Sequence, residues 1–183
     1  MNMDILVVLC IVFAVFLAII AVVIYDKIVS LKLKVEQAES TIDVYLTQRF
    51  NLIPNLVECV KEYEIYEKSI FSEIIEKRSS YLKNKKIKEG EELDKELTNV
   101  IANVENYPEL KANEQFLQLQ KSLTKMENQL QAARRIYNQS VNEYNTTIKT
   151  IPSNIIATIF RFKEINYFDA ENETKENINV RGI

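Results

Sequence analysis

Apolar and aromatic residues recur at alternating three- and four-residue intervals between Leu110 and Ile151: Phe116, Leu119, Leu123, Met126, Leu130, Ala133, Tyr137, Val141, Tyr144, Ile148 and Ile151. This spacing lines one face of an α-helix and is kept for about five heptads. One helix cannot bury such a stripe alone, so a partner of similar length is required. The same spacing provides it upstream, through Ile28, Leu31, Val35, Ala38, Ile42 and Tyr45. It resumes at Leu52, Leu56, Val60 and Tyr63, then less regularly at Ile70, Ile74 and Tyr81. Arg49 falls on this stripe, where its stem is expected to pack while the guanidinium reaches water or a nearby carboxylate. Pro54 interrupts the run. It either bends one long helix or stands in the first turn of a new helix capped by Asn51. The stripe keeps its phase across the site, which favours a kinked continuous helix over a sharp reversal.

Ahead of the first stripe, Ile5 to Ile24 form an uncharged apolar run of 20 residues. At about 1.5 Å per residue it reaches about 30 Å, the thickness of a hydrocarbon core. A cleaved signal peptide fits poorly, because Asp4 stands where Lys or Arg is expected and no small-x-small site follows. A retained transmembrane helix is the expectation. Lys27, Lys32 and Lys34 follow the run and Asp4 precedes it, which places the amino terminus outside and the remainder in the cytoplasm.

Lys83, Lys85, Lys86 and Lys88 lead into Gly90, Glu91 and Glu92, a charge run that reads as a solvated loop. Leu93, Leu97, Val100 and Val104 then predict a short amphipathic helix ending near Asn106-Tyr107-Pro108. Pro108 suits the first turn of the long helix and Pro152 closes it. Ser153 or Asn154 is placed to cap a short final helix carrying Ile155, Ile156, Ile159 and Phe160. From Lys163 onward the chain is polar, and disorder is expected.

Composition narrows the chemistry. The 183 residues, with net charge −3 and 47% hydrophobic content, leave room for one modest domain beside a membrane segment. Two glycines and three prolines disfavour a turn-rich β fold. There is no histidine, which removes the commonest general base and the carboxylate-histidine di-iron sites of helical bundles. Cys10 and Cys59 make no disulfide framework. The mild acidity argues against nucleic acid as a partner. A phosphate-binding glycine loop, a CxxC pair and a nucleophile elbow are all missing from the sequence. Glu91, Glu92, Asp94 and Glu96 read as a solvated face and not as an acid-base pair. Asn138, Asn145 and Asn172 begin glycosylation-like triplets, but two of them fall in a predicted helix. No catalytic, cofactor-binding or metal-ligating residue is assigned, and no cofactor is expected.

Tyr137-Asn138 recurs as Tyr144-Asn145, after Arg134-Arg135. Seven residues return to nearly the same helix face, so the phenols and amides can form a satisfied polar layer that fixes register between helices. A binding role for the asparagines is the competing reading.

These residues belong to three blocks that resemble the LemA family. Ile42-Asp43, Gln48-Arg49, Leu52 through Val57, Lys61 and Tyr63 look like its first block. Tyr107 through Ala112 with Phe116 resemble the second. Arg134-Arg135, Tyr137-Asn138, Val141, Tyr144-Asn145, Pro152-Ser153-Asn154 and Ala157 with Phe160 resemble the third. The chain departs from the family at Asn51, where Asp is usual, and at Tyr66, where His commonly precedes the glutamate (here Glu67). The resemblance implies a bacterial inner-membrane protein with one span and a four-helix-bundle-like soluble domain. It implies no established enzymatic activity, and it links the family to membrane stress, metalloprotease systems and magnetosome membrane formation.

The expectation is therefore an all-α chain. A transmembrane segment occupies residues 1–26, a long antiparallel helical bundle with coiled-coil character 27–162, and a disordered tail 163–183. The expected function is a membrane-anchored scaffold or adaptor without catalytic activity, with a membrane-coupled sensor or signalling module as the alternative. Its expected partners are the membrane and either further copies of itself or another membrane protein.

Overall fold

A computed structural model describes residues 3–61, 63, 68–104 and 107–168. Tyr66, Glu67, Asn106 and the tail beyond residue 168 lie outside the described residues. Among those described there are seven helices and no strand: α1 (Met3–Phe50), α2 (Ile53–Val60), α3 (Lys68–Asn84), α4 (Ile87–Val104), α5 (Pro108–Lys111), α6 (Glu114–Lys149) and α7 (Ser153–Ile159). The fold is all-α, as the periodicity predicts. Two compact units are formed, Glu39–Arg134 on one hand and Met1–Ala38 with Arg135–Ile183 on the other.

In the unit Glu39–Arg134 the buried stripe runs through Ile42, Leu46, Phe50, Ile53, Leu56 and Val60. Phase is kept across Pro54, but through Leu46 and Ile53 and not through Tyr45 and Leu52, which are half-buried. The helix is interrupted for two residues without leaving helical backbone. The Asn51 N–H bonds to the Thr47 carbonyl at 3.0 Å and Leu52 N–H to the Arg49 carbonyl at 3.0 Å. Leu52 has φ −85° and ψ −13°. Pro54 then stands in the first turn of α2, where its missing N–H costs little. Asn51 does not cap α2. Its Oδ1 instead accepts from Arg78 Nη2 at 3.1 Å, while Arg78 Nε donates to the Phe50 carbonyl at 2.8 Å. That carbonyl is one of those a helix leaves open at its end.

The charge run of 83–92 is not a loop. Two residues, Lys85 and Lys86, link α3 to α4, with Lys85 in the left-handed region at φ 53°. Lys88, Gly90, Glu91 and Glu92 belong to the first turns of α4, and α3 and α4 pack on one another. Gly90 makes this close approach possible. A Cβ there would meet Tyr81 Cε2 at 2.6 Å and Leu46 Cδ1 at 3.1 Å. The Tyr81 ring has little room to yield, since its hydroxyl donates to Asp43 at 2.5 Å and its edge meets Phe50 at a centroid distance of 5.1 Å. Alanine gains about 1 kcal/mol of helix propensity, but overpacking costs about 1–3 kcal/mol. Gly90→Ala is therefore expected to lower the thermal melting midpoint, whereas a surface glycine would raise it.

Tyr81 also gives this unit a pH dependence. Burial, then its bond to Asp43, push its phenol well above the usual tyrosine range. The unfolded phenol titrates near pH 10, so stability from the neutral ring is intact below about pH 10 and is lost as pH rises further. The unfolding free energy of the native protein should fall more steeply above about pH 10 than that of Tyr81→Phe, by up to about 1.4 kcal/mol per pH unit, as read by denaturant melts.

The long helix starts later than its apolar pattern suggests. Pro108–Lys111 is a separate turn, and α6 begins at Glu114. Asn113 caps it, with Oδ1 accepting from the N–H groups of Gln115 at 2.9 Å and Phe116 at 3.2 Å. Its stripe is buried from Phe116 to Ile148, apart from Met126, which is half-buried. Ile151, at 83% exposure, is not part of it.

In the second unit, Ile28, Leu31, Val35 and Ala38 of α1 are buried, as are Val141, Tyr144 and Ile148 of α6 and Ala157 of α7. Neither Ser153 nor Asn154 caps α7: Pro152 holds that position without a side-chain bond. Residues 163–168, expected to be disordered, instead lie outside any helix and are bonded along α6.

Candidate functional site

Two polar arrangements stand out, one in each unit. In the unit Glu39–Arg134, Arg49 comes from the last turn of α1, Asp94 and Thr98 from α4, and Glu127 and Arg134 from α6. Arg49 is 3% exposed and Asp94 5%. Arg49 Nη1 lies 2.8 Å from Asp94 Oδ1 and also pairs with Glu127. Arg49 Nη2 donates to Thr98 Oγ1 at 3.0 Å, and that hydroxyl donates to the Asp94 carbonyl at 2.8 Å. Arg134 Nη2 donates to the second Asp94 oxygen, Oδ2, at 3.2 Å.

Of the two fates expected for Arg49, the carboxylate is correct and water is not. Asp94 is a correction. It was expected on a solvated face with Glu91, Glu92 and Glu96, but it lies buried on the same α4 face as Leu93 and Leu97. Glu96 pairs with Lys77 outside the cluster. Two arginines face two carboxylates, so the cluster is balanced in charge. Each Asp94 oxygen faces an arginine, Oδ1 facing Arg49 and Oδ2 facing Arg134. Such a group fixes α1, α4 and α6 against one another.

The second arrangement lies on α6 between Tyr137 and Lys149. Asn145 Nδ2 donates to the Ile165 carbonyl at 2.8 Å, and Asn145 Oδ1 accepts from the Ile165 N–H at 3.0 Å. One heptad earlier Asn138 does the same with Phe168: Nδ2 to its carbonyl at 3.0 Å, and its N–H to Oδ1 at 2.8 Å. Each primary amide thus pairs with one residue's backbone as a neighbouring β-strand would. The tyrosines complete the pattern. Tyr144 donates to the Lys163 carbonyl at 3.0 Å and Tyr137 to the Asn166 carbonyl at 3.2 Å. Tyr137 also meets the Phe168 ring edge-on at 4.9 Å.

The register follows from two repeat lengths. Seven helical residues advance about 10.5 Å. Three extended residues advance about 10 Å. A helix repeating Tyr-Asn every seven residues therefore matches an extended chain at every third residue, which is the observed pairing of 144 and 137 with 163 and 166, and of 145 and 138 with 165 and 168. The expected polar layer is real, but it sets the register of an extended segment and not of a second helix. Asn145, at 5% exposure, would otherwise be a costly buried amide. The heptad repeat was visible in the sequence. Its partner was not, because residues 163–168 carry no strand pattern.

A sequence model of the LemA family matches residues 38–181. Two magnetosome proteins of Paramagnetospirillum magneticum, MamQ 1 and MamQ 2, are each 26% identical to this chain, over 79% of it and 64% of their own length. MamQ of Magnetospirillum gryphiswaldense is 25% identical over the same shares. The chain thus matches 64% of the length of these relatives. The range matched by the family model takes in Arg49, Asp94, Glu127, both Tyr-Asn pairs and residues 163–168.

Proposed function

Because the chain belongs to the LemA family, we propose that it is a membrane-anchored helical scaffold or adaptor without catalytic activity, linked to membrane stress or membrane organisation. The observation that carries this reading is the first part of α1. From Ile5 to Ile24 it has no charged residue, and the side chains of Val12, Phe13, Phe16 and Val23 are exposed. Burying each such side chain is worth about 1.5–3 kcal/mol, and a bilayer supplies that burial. The rest of the chain puts its polar groups into helix-fixing and segment-holding contacts, which suits assembly better than turnover. Membership of the family suggests a bacterial inner-membrane location, and Lys27, Lys32 and Lys34 support residues 27–162 as a cytoplasmic domain.

The test is in-cell photo-crosslinking from the exposed positions Leu33, Val44 and Ile136. A ladder of self-crosslinks supports an oligomeric scaffold, and one dominant membrane protein supports an adaptor. A monomer that captures neither would sink the proposal.

A second reading, a sensor that passes motion from the membrane, is favoured by the unbroken course of α1 from Met3 to Phe50. It predicts that one to three residues inserted between Tyr25 and Lys34, which turn the helix by about 100° each, change a cellular phenotype at constant abundance.

A further inference from the structure

Helix α7 buries Ala157 and half-buries Ile156, and it leaves Ile155 and Ile159 outside. Ile155 and Ile159, four residues apart and so on one helix face, are exposed, as are Ile151 before the helix and Phe160 after it. Four large apolar side chains within ten residues form a patch that a water-facing surface does not require. Its position is given by aromatic contacts. Tyr25, the first residue after the apolar run of α1, holds the Phe160 ring at a centroid distance of 4.7 Å and the Phe162 ring at 5.9 Å.

We infer that α7 lies in the bilayer interface, its isoleucine face against lipid, beside the end of the α1 span. The inference rests on the reading of residues 5–24 as a membrane span. If that run crosses the hydrocarbon core, Tyr25 stands at the headgroup level, where tyrosine is favoured, and Phe160 stands there with it. The apolar patch is then continuous with the lipid-facing surface of the span, and acyl chains are the occupant that continuity specifies.

Two further features suit an interfacial helix. Three of its carboxy-terminal carbonyls are satisfied within the chain: Phe160 N–H bonds to the Ile156 carbonyl at 3.0 Å, Arg161 N–H to Thr158 at 3.2 Å and Phe162 N–H to Ala157 at 2.9 Å. A segment entering a water-poor layer needs that. Arg161 makes the last turn possible in the left-handed region, φ 57°, a position usually taken by glycine. Its guanidinium, with Lys163 two residues on and Lys27 two residues after Tyr25, provides cations at the level of lipid phosphates.

The chain contains no tryptophan, so single indoles report without background. Full-length V12W, I155W and I159W proteins are reconstituted in vesicles of phosphatidylcholine with a minor share of phosphatidylglycerol. The acyl chains are brominated either near the carbonyl end or near the methyl end. The I155W and I159W indoles should emit to the blue of free indole and lose more intensity to the shallow bromines than to the deep ones. The V12W indole should show the reverse preference. If V12W is quenched while both α7 indoles are untouched by either lipid, the inference is overturned and the span stands. A blue-shifted but unquenched α7 indole also overturns it, since protein and not lipid then covers the patch. If V12W is unquenched as well, the span reading fails and the inference falls with it. Two α7 positions are used so that misfolding of one variant does not decide the result.

Discussion

Arg49→Met is expected to destabilise the full-length protein by about 3–5 kcal/mol, because it removes the guanidinium to which α4 and α6 bring two carboxylates and leaves a surplus negative charge in the cluster. In a chain of this size that is a fall in melting midpoint on the order of ten degrees. Asp94 keeps Arg134 at 3.2 Å, but Glu127 loses the cation it faces. The size of the effect should not be taken as the net worth of the cluster. Desolvating an arginine and an aspartate that are 3% and 5% exposed opposes much of their mutual attraction. The informative comparison is the triple variant Arg49→Met, Asp94→Leu, Glu127→Leu. It removes both charges facing Arg49 together with Arg49 itself; Arg134, which loses Asp94, has a side chain 28% exposed and turns to water, so the triple variant should recover most of the stability lost in the single variant. Thermal melting by circular dichroism in detergent reads both. A single variant that melts within a degree or two of the native protein would show that the guanidinium is not needed to neutralise these acids.

Loss of Asn145 and Asn138 should have the second-largest effect, confined to one place. Each amide makes two bonds to a backbone, and an unpaired buried polar group costs about 1–3 kcal/mol. Asn138→Ala with Asn145→Ala should free residues 163–168 from α6, and the Ile165 and Phe168 amides should exchange with deuterium orders of magnitude faster. Backbone amides in the middle of α6 should be little changed. Asn145→Asp separates this account from a simple helix cap. A carboxylate accepts from the Ile165 N–H but cannot donate to its carbonyl and repels it, so the aspartate variant should release the segment nearly as fully as alanine. Protection of Ile165 in that variant would contradict two-way pairing.

Much of this fold was written in the spacing of apolar residues, and the departures have local causes. Stripe positions from Ile28 to Ile42 and from Phe116 to Ile148 are buried almost throughout, because three-four spacing maps directly onto one helix face. Gly90 misled the reading. A glycine amid lysines and glutamates looks like a turn, yet here it marks close approach of a tyrosine ring, and only the structure distinguishes the two. That error hid Asp94. Once α4 is extended back to Ile87, Gly90, Leu93, Asp94 and Leu97 fall on one face, and the acid stands out as a charge among apolar neighbours. Arg49 could be flagged from its own stripe, but its partners lie 45 and 78 residues away and no local pattern points to them. The Tyr-Asn repeat was legible as a repeat. What it binds was not, since an amide that pairs with peptide groups imposes no residue preference on the segment it holds.

That indifference divides the tolerance of the two sides unequally. On α6 neither asparagine has a substitute, because no other side chain offers an amide donor and acceptor at that reach. Opposite them, Ile165 contributes only its N–H and carbonyl to the pairing, and Asn166 is met at its carbonyl. Proline is barred at 165 and 168, where an N–H must be given, and Phe168 keeps its ring for Tyr137. Elsewhere in 163–168 the side-chain ties to α6 are exposed ones, Glu164 to Lys149 at 2.7 Å and Tyr167 to Asn142 at 3.3 Å, so those letters are the most open to rewriting. A protease recognition sequence threaded through those positions would be shielded while the amides hold and cut when they let go, which turns this stretch of the protein into a reporter of its own attachment.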